Sequence, residues 1–453
     1  MNWLTKMSNS PRLVIWLGVS VFAYSWLAGL LLQMWVIPSM FSQAGASEGL
    51  VVLDSIGFDK IAKEKASEIV SLGWAAWELK PQFQSPAGIA SFFYVMFGPV
   101  PTSVLPFNAA VHAAGSCVVM LILKRHFSGL PALLGAVFFA LNPASFEWVA
   151  QIHRDGIFIL GNLLFIYGVI AFFIKPVKSS SVWSWALVYQ VLIPTIGIAL
   201  VWVARPYWVQ IMLVIMMAVF CVLVLGALLR WRTACVRQMA ALTVAFFTVS
   251  AFQFWLVKVH TPYEPIDIPI SETATATATA TKSSQFSWKR SSWLPDVIEG
   301  RFYRLGIARE GAIAQGGNSL ADGAVHLDSV GAVLGYLPRA IHLALFSPFP
   351  ELWGGEASTP AMTIGRKVVG AVTVLFYLCL SGWLLALWRL RGELLVWVLL
   401  FQCLIGMVVY AIGYPNIGTL IRYRYGFYML LVGFGVAVWC DLWLRITNKQ
   451  SEI

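Results

Sequence analysis

The chain has 453 residues, of which 59% are hydrophobic and 11% charged, with a formal net charge of +10. Soluble domains run nearer 45–50% apolar and roughly 25% charged, so a soluble enzyme of three ordinary domains is excluded. The positive charge does not indicate nucleic-acid binding, because most Lys and Arg sit in short clusters between apolar blocks, as in cytoplasmic membrane loops.

The apolar blocks fall near 13–37, 104–123, 130–150, 156–174, 183–204, 207–229, 239–259, 367–388, 393–412 and 424–444. Each approaches the ~20 residues a helix needs to cross a bilayer. The first is longer than a signal-peptide core of about 7–15 residues, so it reads as a retained helix. Basic clusters at Lys124-Arg125, Lys175 with Lys178, Arg230-Trp231-Arg232 with Arg237, Arg389 with Arg391, and Arg445 with Lys449 occupy every second gap. With Lys6 and Arg12 they place both termini in the cytoplasm.

The expected fold is therefore an all-α polytopic membrane protein with about ten transmembrane helices. Stretches 86–98 and 328–346 read as interfacial or re-entrant helices, since either one as a lone span would invert every later loop. The organisation is an N-terminal membrane module over 1–259 with a first extracytoplasmic loop at 38–103, a second loop at 260–366, and C-terminal membrane helices over 367–453. The alternating Thr/Ala tract at 273–281 has no side chains that would build a core.

No Walker A loop, HExxH or GxSxG sequence occurs, Gly433-Phe434-Gly435 lacks a third glycine, and no cysteine pair has metal-ligand spacing. What stands out is a set of ionisable groups at one side of the membrane. Asp54 follows the first helix, Gln151-Ile152-His153-Arg154-Asp155 forms an outer turn, and Arg205-Pro206-Tyr207 and Arg422-Tyr423-Arg424 form two more. Arginine on outer turns opposes the inside-positive bias, and guanidinium forks bind phosphate oxygens bidentately. Asp54 reads as a general base for an acceptor hydroxyl, with Asp155 as a second acid that also suits a helix cap or a pair with Arg154. Arg205, Arg422 and Arg424 read as donor-phosphate ligands, and Tyr207, Arg154, His153 and Arg339 as further acceptor or donor contacts. His153, His326 and His342 have no metal-ligand spacing, so no metal site is expected, although the chemistry would accommodate a divalent metal.

The order of these elements resembles the integral-membrane glycosyltransferases of the C superfamily, which include protein O-mannosyltransferases and the lipid A aminoarabinose transferases. Asp54-Ser55-Ile56-Gly57-Phe58-Asp59-Lys60-Ile61-Ala62 is similar to that family's D-S-x-x-Y-x-x-x-A, with Phe58 at the tyrosine position. Pro86 to Phe97-Gly98 looks like its proline-led interfacial helix. Lys124-Arg125, Asp155, Arg205-Pro206 and Arg422-Tyr423-Arg424 match its later landmarks in order. The acidic residue lacks the adjacent second acid of some members, and the loop over 260–330 matches nothing in the family.

The resemblance implies an inverting transfer of a sugar from a polyprenyl-phosphate donor to an extracytoplasmic glycan, lipid or protein. It implies no nucleotide cofactor, membrane lipids as partners, and residence in a bacterial inner membrane with the active site facing outward. Two other classes remain: an O-antigen or exopolysaccharide polymerase or ligase using a lipid diphosphate, and a lipid or polysaccharide transporter. A transporter would be expected to carry mid-bilayer ionisable groups and paired halves, which are not evident here.

Overall fold

The computed structural model describes residues 12–41, 45–172, 185–229, 247–252, 255, 286–316, 319–354 and 360–450. Among these every named element is helical, and only two isolated backbone bridges, Lys289 with Ser329 and Leu320 with Asn416, have β geometry. Among the described residues five helices are long and apolar enough to cross a membrane: Arg12–Met40, Pro101–Leu123, Arg366–Arg389, Leu394–Gly413 and Ile417–Thr447. The chain is thus a helical membrane protein. The expected crossing at 239–259, the Thr/Ala tract, and the basic clusters at 175–178 and 230–237 lie wholly or largely outside the described residues.

One expected span is not a single straight helix. The block at 130–150 is two helices, Gly129–Leu141 and Pro143–Val149, bent by 53°. Pro143 lacks the N–H that would continue the first helix, and the Asn142 side chain instead accepts from Ala144 N–H at 3.1 Å. The two stretches read as non-spanning are helices of 13 residues (Ser85–Phe97) and 17 residues (Val330–Phe346). At ~1.5 Å per residue neither covers a hydrocarbon core of ~30 Å upright.

The chain divides into two compact units. Unit 1 comprises Met1–Pro262, Leu378–Leu400 and Met429–Ile453; unit 2 comprises Tyr263–Tyr377 and Phe401–Tyr428.

In unit 1, α1 (Arg12–Met40) packs on α4 (Leu105–Leu123), and α4 on α5 (Gly129–Leu141) and α6 (Asp155–Phe172). α6 packs along α7 (Trp185–Ala204), which precedes α8 (Trp208–Leu229). Glycines set these distances: a Cβ on Gly161 would lie 2.8 Å from the Gly197 carbonyl oxygen, and one on Gly433 would lie 2.7 Å from that of Gly135. Lipid tails are as apolar as leucine, so such close packing takes the place of a hydrophobic drive between helices. Gly433 and Gly435, too few for a dinucleotide loop, are therefore contact points, Gly435 meeting the Cys379 backbone.

The stretch over 38–103, expected to be an extracytoplasmic loop, has a core of its own. α2 (Leu53–Leu72) buries Ser55, Phe58, Asp59, Ala62, Ala66 and Ile69, a helical stripe. α3 (Ser85–Phe97), opened by Pro86, packs Ala87, Ala90 and Tyr94 against it. Tyr94 donates its hydroxyl to Asp59, which also pairs with Lys63 at 2.8 Å.

In unit 2, α9 (Asp296–Ala314) packs on α10 (Val330–Phe346). Arg309 of α9 is fully buried and donates to the carbonyls of Val325, Asp322 and Ile412, so one guanidinium fastens two backbone segments to α9. The other helices named across the two units are α11 (Pro360–Leu380), α12 (Gly382–Arg389), α13 (Leu394–Gly413) and α14 (Ile417–Gln450), of which α12 lies in unit 1.

Candidate functional site

Two irregular segments of unit 1 deliver the acids, and buried amides hold them. After Val149 the chain runs through Ala150, Gln151, Ile152 and His153 without regular structure, yet all four are buried. Backbone buried in that way needs partners. Asn108 of α4 donates to the carbonyls of Val149 (3.2 Å) and Gln151 (2.9 Å). Gln33, the buried residue of a π-turn at Leu32–Val36 in α1, donates to Ala150 at 2.8 Å. Gln151 then reaches back, its amide nitrogen donating to the Gly49 carbonyl at 2.9 Å and its oxygen accepting from Val51 N–H at 3.0 Å. Gly49 has φ +80° and lies so close to α1 that a Cβ would come within 2.5 Å of the Gln33 carbonyl oxygen. One side chain thereby ties the segment leading to Asp54 to the turn leading to Asp155.

At the end of that turn four ionisable groups form a line. Asp54, in the first turn of α2, has a half-exposed side chain (50%), whereas those of His153, Asp155 and Arg205 are each 1% exposed. His153 Nε2 lies 3.8 Å from Asp54 Oδ2, and its Nδ1 lies 3.2 Å from Asp155 Oδ2. The other Asp155 oxygen accepts from Arg205 Nη2 in a short charge-assisted bond. Arg205 comes from the α7–α8 turn, where Pro206 ends α7, and its guanidinium stacks 4.7 Å from the Phe158 ring centroid. Trp208 Nε1 donates to Asn162 Oδ1 at 2.9 Å, fixing the start of α8 against α6. Line and turn therefore rest on the tightly packed α6–α7 pair.

Lys80, just ahead of α3, supplies a further cation in unit 1. Its ammonium donates to the Trp202 carbonyl at 3.0 Å and sits 3.5 Å from the indole centroid, one helical turn before Arg205. Burial disfavours its charged form and lowers its pKa from 10.5 to about 8.

Tyr207 is 45% exposed and Arg154 half-buried, both in unit 1. Arg422, Arg424 and Arg339 belong to unit 2. Arg424 is buried and donates to the carbonyls of Leu343, Ala344 and Ser347, so it caps the C-terminus of α10 and complements its dipole. Arg422 stacks 5.2 Å from the Tyr423 ring. Arg339 grips Asp322 through Nε (2.8 Å) and Nη2 (3.0 Å), and these bonds hold the Asp322 carboxyl below its usual pKa. His326 pairs with Glu310 at 2.8 Å, and His342 lies 3.0 Å from Arg339. A cleft of about 200 Å³ in unit 2, lined by Trp353, Arg366, Val369 and Ile421 among others, includes none of the expected site residues.

The structure thus brings Asp54, His153, Asp155 and Arg205 together and ties Asp155 to Arg205, not to its neighbour Arg154. Sequence reasoning missed Gln33, Asn108 and Asn162 as supports and Lys80 as a cation. Their signal was available, since an amide or lysine in or beside an apolar block is costly unless something holds it. Among the described residues no group of three His, Cys, Asp or Glu is placed to hold a metal ion. Asp54 and Asp155 face opposite nitrogens of one imidazole, so their donors do not converge on a common centre. Compared with known protein families, curated proteins and solved structures, the chain matches none.

Proposed function

We propose that this protein is an inverting membrane glycosyltransferase that moves a sugar from a polyprenyl-phosphate donor to an acceptor outside the cytoplasm. The observation that carries the reading is the line of four groups in unit 1, whose half-exposed end is Asp54 and whose buried end is the Asp155–Arg205 pair. A carboxylate in that setting is reachable by an acceptor hydroxyl and kept off water on its inner side, which suits a general base.

Asp54 takes the hydroxyl proton as the acceptor oxygen attacks the anomeric carbon, and polyprenyl phosphate leaves from the opposite face. Arg205 is engaged by Asp155, so in unit 1 its part is to hold that carboxylate. Lys80 is the unit 1 cation we assign to the leaving phosphate, whose growing charge it offsets. The reading includes about ten crossings, both termini in the cytoplasm, and a bacterial inner membrane with the site outward. That sidedness gives a lipid-linked donor its purpose, because nucleotide sugars are cytoplasmic. Purified protein in nanodiscs, offered polyprenyl-monophosphate and polyprenyl-diphosphate sugars in turn, tests the reading. Transfer from the monophosphate supports it, and transfer from the diphosphate alone assigns the protein to the polymerase or ligase class. Labelling of engineered cysteines in 99–103 from the outside tests the topology.

A further inference from the structure

We infer that His153 is a positioning residue that acts through Asp54, receiving the acceptor's proton from it and holding that proton against Asp155. The inference rests on the transferase reading and deepens it.

Three features support it. The imidazole bridges the two acids, with Nε2 toward Asp54 and Nδ1 toward Asp155. Its side chain is 1% exposed, so it does not meet the acceptor and can act only through the half-exposed Asp54. Asp155 is fixed by a buried guanidinium, giving Nδ1 a carboxylate that neither turns away nor needs a proton of its own. Charged groups at the ring include Asp54 from α2 and Asp155 from α6, with Arg205 from the α7–α8 turn behind Asp155, and the Phe58 ring meets the imidazole edge-on at 6.3 Å.

A hydrogen on Nδ1 would face Asp155 Oδ2, 3.2 Å away, and leave the Nε2 lone pair toward Asp54. The Asp155 N–H, 3.3 Å from Nδ1, marks the other tautomer, in which Nδ1 accepts and Nε2 carries the hydrogen. The reaction uses the first. The acceptor O–H bond breaks and its proton goes to Asp54, while the O–C bond to the sugar forms and the C–O bond to phosphate breaks with its electron pair on phosphate. Asp54 passes the proton to Nε2, giving an imidazolium between two carboxylates, and regains the charge needed for the next cycle. The proton returns through Asp54 to water after product release. The 3.8 Å gap from Nε2 to Asp54 closes by a turn of the Asp54 side chain, and catalytic hydrogen bonds often tighten only in the substrate complex.

The test compares wild type, His153→Gln and Asp54→Asn as full-length protein in nanodiscs. His153→Gln should fold and keep its KM for the donor, while kcat falls on the order of 100-fold, the usual worth of a proton-transfer partner. The acid limb of kcat should move down by about one pH unit, because the imidazole no longer has to be neutral for the reaction to proceed. A fall in kcat with an unshifted limb would make His153 merely structural and overturn the inference, as would no change at all. Should His153→Gln fail to fold, histidine NMR titration of Asp54→Asn decides. Loss of the Asp54 charge must lower the His153 midpoint, and an unmoved midpoint overturns the inference. Normal transfer by Asp54→Asn would instead sink the transferase reading, a separate outcome.

Discussion

In Asp155→Leu protein the Arg205 guanidinium keeps its surroundings but loses the charge that balances it. Both side chains are 1% exposed in the native protein, so water cannot take over. Breaking a buried pair from one side costs about 3–5 kcal/mol, and here the upper end applies because leucine offers no acceptor. Asp155→Asn retains an amide oxygen for one Arg205 bond and should cost about 3 kcal/mol, the lower end. The double variant Asp155→Leu/Arg205→Met removes both charges at similar volume and should return to within about 1 kcal/mol of wild type, since an apolar replacement of a whole pair is often neutral. Reversible unfolding in mixed micelles, followed by far-UV circular dichroism, measures all of these. The diagnostic quantity is the coupling: the two single losses should exceed the double loss by at least about 3 kcal/mol, the upper range for groups in direct contact. A double variant as unstable as the sum of the singles would refute the account of Arg205 as a buried counter-ion.

Four further outcomes are expected. Asp54→Asn should unfold like wild type yet lose transfer, whereas Asp155→Asn, assayed below its own melting temperature, should retain part of it; a radiolabelled-sugar assay compares them. Donor binding should weaken as pH rises through about 8, where Lys80 loses its proton. Lys80→Arg should keep binding flat across that range in a filter assay, and an identical decline in the arginine variant would count against Lys80 as the phosphate cation. Arg424→Met removes the guanidinium from the Leu343, Ala344 and Ser347 carbonyls and should cost about 3 kcal/mol, read as early hydrogen exchange over residues 340–347. Asp322 is held below its usual pKa by Arg339, so that pair stabilises the fold above the unfolded carboxyl value and the contribution is lost as pH falls through the native one. Arg339 is 40% exposed, so Arg339→Gln should cost only about 1 kcal/mol near neutral pH and nothing measurable in strong acid.

Helical membrane architecture was legible because it depends on the length and apolarity of single blocks, and both are local. The contact of the two acids through one histidine was foreshadowed for the opposite reason, since so few charges occur that each one in a turn between apolar blocks stands out. Partnership was not legible. Asp155 lies next to Arg154 in sequence but bonds Arg205, 50 positions on, and only the packing of α6 on α7 makes that choice. The outer arginines looked alike, yet Arg205 meets a carboxylate and Arg424 meets carbonyls, a distinction set by which element lies opposite each guanidinium. Gln151 stood in plain view within the second acidic motif, but its role depends on Gly49, 102 positions earlier. The bend at Asn142-Pro143 was readable from the dipeptide itself and was hidden by averaging hydropathy across it.

The glycine contacts of the last helix bear on how the protein is made. Gly433 meets Gly135 and Gly435 meets Cys379, so residues near the C-terminus close unit 1 at backbone distance. At 5–20 residues per second, Gly135 leaves the ribosome roughly 15–60 s before the partner it packs against. Throughout that interval the α5 face waits in the bilayer with lipid where the last helix will sit. A nascent chain arrested at residue 428 should therefore carry both acids but leave the Gly135 face of α5 without its Gly433 contact.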